Sequence, residues 1–339
     1  MAMSPKEHIE EIRKKKFKIG EEPDPKNEDL HHAVNYLSAE LYAKDVHFLM
    51  ELIQYRLEQV LEMDSNVVDA TENAEDNEYG EGVNPSLEFV LTSRDITATG
   101  ASATLLVFNN ERGFSPKNVE SICSIGRSTK KGHRKRGYIG EKGVTRGSYN
   151  VSNNSVIWSK VLKGFTRARL DARLASPRGS GIGFKSVFLI TAQPYIFSNS
   201  YQIRFNEQPC PQCKVGYIVP EWVDDNPTLS TIKEIYSGSN SSLPTTTIVL
   251  PLKPDKVQPV KQQLSTIHHE ILLFLSKIKR LSVKEDNEDP RLNTVSAVSI
   301  SSEINFATKK NIDADSFLLH LSANELGKNS EECSYHMWR

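Results

Sequence analysis

Four short segments carry side chains whose types and spacing could do chemistry. Asn73-Ala74-Glu75-Asp76-Asn77 follows a long stretch of helical pattern. An Asn oxygen on a helix can complete the shell of a magnesium ion bound mainly by phosphates. Phe108-Asn109-Asn110-Glu111-Arg112-Gly113-Phe114 follows an apolar strand pattern, where a polar amide could hydrogen-bond the edge of a base. Gly140-Glu141-Lys142-Gly143 is resumed by Gly181-Ile182-Gly183-Phe184-Lys185-Ser186. Glycines let a backbone approach a phosphate closely, and a helix starting there offers free N–H groups. Thr245-Thr246-Thr247-Ile248-Val249-Leu250 is a threonine-led strand pattern, and a Thr hydroxyl can serve an adenine edge or a bridging water. Taken singly, each has a structural alternative: a cap, a turn, or threonines that simply favour strands. Their order is what makes them a set.

Those segments need elements to hold them. From Asn27 to about Met63 there is no Pro or Gly, and Leu30, Val34, Leu37, Leu41, Phe48, Leu49, Leu52, Ile53, Leu57 and Leu61 recur at helical spacing. One or two long amphipathic helices follow from that. Leu87, Phe89 and Leu91 alternate as in a strand, and Thr104–Phe108 reads as a more buried one. Ser115-Pro116 is an N-cap and first helical position. Phe184–Thr191 reads as a short helix, and Tyr195–Phe197 with Tyr201–Phe205 as a hairpin turning at Ser198-Asn199-Ser200. Thr245–Leu252 is a strand and Val260–Ile278 a long helix. Leu281–Val283, Val295–Ile300 and Phe317–Leu321 are further strands, and the last dozen residues read as a frayed end. Strands gathered with long helices, without regular βαβ alternation, indicate an α+β sandwich.

The chain has 339 residues with 42 Lys+Arg against 43 Asp+Glu, a net charge of -1. That excludes a globally basic nucleic-acid coat and an acidic disordered tail, although not local patches. No apolar run reaches the roughly 18 residues of a membrane span. The opening residues are charged and lack a signal peptide's apolar stretch. With four cysteines there is no disulfide scaffold. An intracellular protein of the nucleus or cytoplasm, with no membrane partner, is the expectation.

The order helix-Asn, strand-polar-Gly, glycine-rich lid and helix, then Thr-led strand resembles the ATP-binding (Bergerat) fold. That fold is shared by gyrase B, the heat-shock-90 chaperones, histidine kinases and the MutL mismatch-repair proteins. More narrowly, LLVFNNERGFSPKNVESICSIGRSTKKG, GYIGEKG and IGFKSVFLITAQPYIFSNSYQIRF resemble the sacsin and plant NO VEIN family of that fold. The resemblance implies a mixed β-sheet covered on one face by helices, binding ATP and Mg2+, with a chaperone-like or remodelling role on a protein client. It implies Asn73 as the magnesium-coordinating residue and Asp76 as the acidic neighbour near adenine. Asn110 stands where many relatives place the Asp that binds the adenine amino group, followed by Gly113. Gly140, Gly143, Gly183 and Phe184 match the lid and the start of the phosphate-binding helix, and Thr246 the strand Thr near adenine. The domain would span 27–325, behind a charged N-terminal arm (1–26) and ahead of a tail (326–339).

Two departures bear on catalysis. In relatives the water-activating Glu lies four residues before the magnesium Asn. Here Glu51-Leu52-Ile53-Gln54 is separated from Asn73 by Tyr55–Glu72, 18 residues. In one continuous helix that puts Glu51 roughly 33 Å from Asn73 along the axis. Asp69 then falls four residues before Asn73 and is a substitute base; alternatively, 55–72 loops out and Glu51 returns to its place. The second departure is 144–181, which splits the lid and brings Arg146, Lys160, Lys163, Arg167, Arg169, Arg173 and Arg178. It is either a basic flap reaching phosphates or nucleic acid, or an unstructured insertion. Hence the alternatives to an ATPase: a catalytically silent interaction module, or a nucleic-acid binder through 130–178. Lys130–Arg136 is a basic run that fits an import signal, a phosphate-facing lid or a solvated turn. Cys210-Pro211-Gln212-Cys213 supplies two of the four ligands a structural zinc needs, and Cys123 and Cys333 show no matching spacing.

Overall fold

A computed structural model describes residues 3–22, 24–40, 77–124, 183–237, 242–265, 267, 272, 277–306, 316–325 and 331–338. Its centre is one ten-stranded sheet in the order β10-β9-β8-β7-β1-β2-β6-β3-β4-β5. The strands are β1 (Ser86–Thr92), β2 (Thr104–Asn109), β3 (Tyr195–Ser198), β4 (Tyr201–Arg204), β5 (Glu221–Trp222), β6 (Thr246–Pro251), β7 (Arg280–Asp286), β8 (Thr294–Phe306), β9 (Ser316–Glu325) and β10 (Glu331–Trp338). β1 and β7 run parallel, and every other neighbouring pair is antiparallel. The fold is therefore α+β with a mixed sheet.

The period of two decides which side chains reach which face. Leu87, Phe89 and Leu91 of β1 join Leu105 and Val107 of β2, Ile196 and Leu250 in the larger core. That face is covered by α1 (Pro5–Phe17), α2 (Lys26–Glu40), α3 (Pro116–Ile122) and α5 (Val257–Ser265), through residues such as Ile9, Val34, Val119 and Val260. Val90, Leu106, Phe108, Tyr195, Phe197 and Val249 point the other way and meet Ile232 and Ile235 of α4 (Leu229–Ser237). Helices thus lie on both faces, correcting the expectation of one covered face. The cause is the apolar stripe Ile232, Ile235 and Tyr236, which needs a partner and finds one on the sheet's second side.

Three other expectations are corrected. The charged N-terminal segment, whose alternating Glu and Lys fit a polar helix or an arm, is a helix docked on the core. Ser4 caps it in a reciprocal capping box with Glu7, and Ile9, Ile12 and Phe17 are buried behind its Lys/Glu exterior. The frayed end is β10, paired antiparallel to β9 from Glu331–Ala323 to Trp338–Ser316. Its β-forming Tyr335 and Trp338 lie beside a strand with an open edge. The long helix over Val260–Ile278 stops at Ser265, and Ile267 lies outside any helix. The Ser265 hydroxyl donates to the Gln262 carbonyl, and the Ile267 N–H donates three residues back to Leu264, tightening the last turn.

The hairpin turns as expected. Asn199 and Ser200 take φ of 46° and 67°, both left-handed, which matches the twist of the β3 and β4 strands they join. No helix among the described residues is long and apolar enough to cross a membrane.

Candidate functional site

The β2–β6–β3 ladder sets the site. Asn109 is opposite Thr246, and Thr246 is opposite Ser198. All three side chains therefore leave the sheet on one face, the face of Val107, Ile248 and Ile196, under the helical layer. They form a short polar row closing an apolar surface, and each is buried: Asn109 6%, Thr246 3% and Ser198 3% exposed. The row is knit by hydrogen bonds. The Ser198 and Thr246 hydroxyl oxygens lie 2.7 Å apart. Asn109 Oδ1 accepts from the Tyr79 hydroxyl at 3.0 Å and the Glu111 N–H at 3.1 Å. Each hydroxyl retains lone-pair capacity for a further donor.

The loop after β2 is held over this row. The Phe114 N–H donates to Ser198 Oγ at 2.9 Å. Asn199 Nδ2 donates to the carbonyls of Arg112 (3.0 Å) and Phe114 (3.2 Å). The chain can pass so close because Gly113 has φ +84° and no side chain; a Cβ there would lie 2.6 Å from the Asn199 amide. The preceding segment is fixed alongside: the Arg112 N–H donates to the Glu78 carbonyl at 2.8 Å, and Lys277 Nζ to the Asn77 carbonyl at 3.1 Å.

On the far side the chain re-enters as a 3-10 helix, Gly183–Leu189. Phe184 packs edge-on against Phe205 with ring centroids 5.9 Å apart. Lys185 is 3% exposed, and its Nζ lies 5.5 Å from both those rings and donates to the Ile122 carbonyl. Lys16 Nζ donates to the next carbonyl, Cys123, at 2.6 Å. Two lysines from distant segments thus hold the carbonyl end of α3, where cations suit the helix dipole. Burial pushes Lys185 down to about 7 and the neighbouring Cys123 thiol up to about 12.

Of the residues singled out by sequence, the structure brings together Gly113 and Thr246, with Gly183 and Phe184 opening the 3-10 helix. Asn110 is placed differently. Its Oδ1 accepts from the Ser86 N–H at 2.8 Å and its Nδ2 donates to the Asn84 carbonyl at 2.9 Å, so its amide ties down the entry to β1. The asparagine in the row is Asn109. Glu51, Asp69, Asn73, Asp76, Gly140 and Gly143 lie outside the described residues. Sequence reasoning missed Asn109, Ser198 and Tyr79. Register is the signal for the first two, since both fall opposite Thr246. No local pattern announces Tyr79.

The chain is thus an α+β protein built on one large mixed sheet, with a buried polar row at one end of its central strands. The chain is similar to Protein NO VEIN of Arabidopsis thaliana, 29% identical over 272 residues, which is 78% of this chain and 7% of that protein. It spans, then, a small fraction of that relative's length. No family model matches the chain.

Proposed function

We propose that this chain is a Mg-ATP-binding domain of the Bergerat type. The observation that carries the reading is the buried row Asn109–Thr246–Ser198 beneath the Gly113 loop. A row of one amide and two hydroxyls inside an apolar surface suits a flat heterocycle with donors and acceptors on its edge. Asn109 takes the place that the resemblance gives to Asn110; its Oδ1 is filled by the Tyr79 hydroxyl and the Glu111 N–H, so its Nδ2 is the group that would donate to an adenine ring nitrogen. Thr246 and Ser198 offer hydroxyls to the ring's other edge, directly or through water. Asn73 would hold the magnesium ion, with Asp76 near the base and Gly113, Gly140, Gly143, Gly183 and Phe184 framing the lid and phosphates. Bound Mg-ATP would supply a phosphoanhydride for attack by water, with Glu51 or Asp69 as the base that takes the water's proton. The resemblance of the motifs to sacsin-type ATPases implies a chaperone-like or remodelling role on a protein client, and the chain covers 7% of Protein NO VEIN, which fits a domain of a larger architecture.

Calorimetry with Mg-ATP on wild type, Asn73→Ala and Thr246→Val tests this. Wild type binds, Asn73→Ala loses the magnesium-dependent part, and Thr246→Val, which keeps shape and burial, loses about 1 kcal/mol. No binding by a folded wild-type protein sinks the reading. The Glu51–Asn73 spacing favours one variant of it, a domain that binds ATP without turning it over; binding without phosphate release identifies that case.

A further inference from the structure

Cys210-Pro211-Gln212-Cys213 plays no part in the nucleotide site. The structure folds it into one closed turn. The Lys214 N–H donates to the Cys210 carbonyl at 2.7 Å, and the Cys210 N–H to the Val215 carbonyl at 2.9 Å. Lys214 takes a left-handed φ of 60° to close it. This i→i+4 closure is one helix-like turn, in which residues three apart are neighbours, with about 5–6 Å between their Cβ atoms. A disulfide spans roughly 4.4–6.8 Å between Cα atoms. Cys213 Sγ donates to the Val215 carbonyl at 3.9 Å, and the Cys210 thiol is near enough to help push the Cys213 thiol up. Both are free; Cys213 is buried and Cys210 is part-exposed. Among the described residues no group of three His, Cys, Asp or Glu could hold a metal ion, so this pair has no further ligands there.

We propose that Cys210 and Cys213 are a reversible dithiol–disulfide pair, oxidised by a low-molecular-weight disulfide such as oxidised glutathione. The part-exposed Cys210 thiolate attacks one sulfur of the incoming disulfide, and the first glutathione leaves as thiolate. Cys213, after giving its proton to solvent, attacks the Cys210 sulfur and expels the second glutathione thiolate. Two protein thiols and one external disulfide become one protein disulfide and two external thiols, so electrons balance. The division of labour follows exposure: reagent reaches Cys210, and Cys213 is shielded for the resolving step. Burial also pushes the Cys213 thiol up to about 11, which slows that second step and makes it faster at higher pH.

The pair is wired to its surroundings. The Cys213 carbonyl accepts from Asn27 Nδ2 at 2.9 Å, and the Gly216 N–H donates to His31 Nδ1 at 3.1 Å, both on α2. Tyr217 stacks on His31 at 5.4 Å and meets Phe188 of the 3-10 helix edge-on at 4.9 Å. Closing the bond therefore stiffens a turn shared by two elements of the helical layer.

The test equilibrates the full chain in glutathione buffers of graded ratio, traps free thiols by alkylation, and reads the tryptic segment Phe205–Lys214, which holds both cysteines. The expected result is loss of two hydrogens from that segment with loss of both alkylation sites, reversed by reduced glutathione. Cys213→Ser keeps Cys210 reactive but stalls as a glutathione adduct; Cys210→Ser, altered at the part-exposed position, blocks the adduct and the bond. Both thiols alkylating at every ratio overturns the proposal. So does a wild-type protein that stalls as the adduct, or one that carries stoichiometric zinc protecting both thiols.

Discussion

At the scale of single residues, a one-position shift separates two asparagines with different work. Asn109 belongs to the ladder and points under the helices, whereas Asn110 has left it and clasps the 84–86 backbone. Neighbouring residues on a strand face opposite ways, so the sequence Asn-Asn cannot say which one enters the site until the register is known. Lys185 sits in a glycine-flanked motif, and burial gives it a separate, measurable property. Its folded value of about 7 lies below the roughly 10.4 of a free lysine. Between those values the unfolded chain binds a proton that the folded chain releases. Stability from this group therefore rises with pH across that window, and the cost of burying the charge is felt in full below it. Wild-type denaturant midpoints should climb from pH 7 to pH 9, while Lys185→Met climbs less and gains most over wild type at pH 6. Parallel curves for the two proteins would show that the buried amine does not titrate there.

At the scale of elements, strands were more legible than helices. β1, β2, β6 and the β3–β4 hairpin follow from alternation and turn chemistry, because period two survives in short windows. α1 hid its stripe, since three buried residues in thirteen are diluted by Lys and Glu that face water. Its attachment is nevertheless specific: Arg13 donates to the Pro220 carbonyl at 2.8 Å, and His8 Nδ1 lies 2.9 Å from the Tyr201 hydroxyl. Ile9→Ala should accordingly cost about 2–5 kcal/mol in chemical denaturation, while Lys14→Ala on the exposed face stays within about 0.5 kcal/mol. Equal, negligible effects would return α1 to the status of a loose arm. α5 ended early for a reason invisible to periodicity, the Ser265 hydroxyl competing for a helix carbonyl. The polar row needed tertiary information throughout, since β3 and β6 meet only in the folded sheet.

At the scale of the whole molecule, the described side chains of the sheet are buried unevenly. β1, β2, β3 and β6 carry buried apolar side chains on both faces. Among the described side chains of β8, β9 and β10, the buried apolar ones are Val298 and Leu321. Local opening should follow that gradient. Hydrogen exchange is expected to protect the amides of β1 and β2 to near the global limit and to release those of β9 and β10 sooner. Uniform protection across all ten strands would mean that the outer ribbon has support beyond these two residues. The general architecture, α+β with a mixed sheet, was readable from the mixture of elements. The strand order was not, since it depends on pairings between residues far apart in the chain.

One such pairing has a consequence for how the protein is made. β1 lies between β2, its near neighbour in sequence, and β7, with Ser86 opposite Arg280 and Thr92 opposite Asp286. On the ribosome, the first half of the central sheet emerges long before the strand that seals its other side. Until Asp286 has left the exit tunnel, one edge of β1 keeps its backbone N–H and C=O groups unpaired beside faces rich in apolar side chains. Synthesis of this chain should therefore pass through a prolonged stage in which a holding chaperone, or a pause in elongation, decides between completion and aggregation.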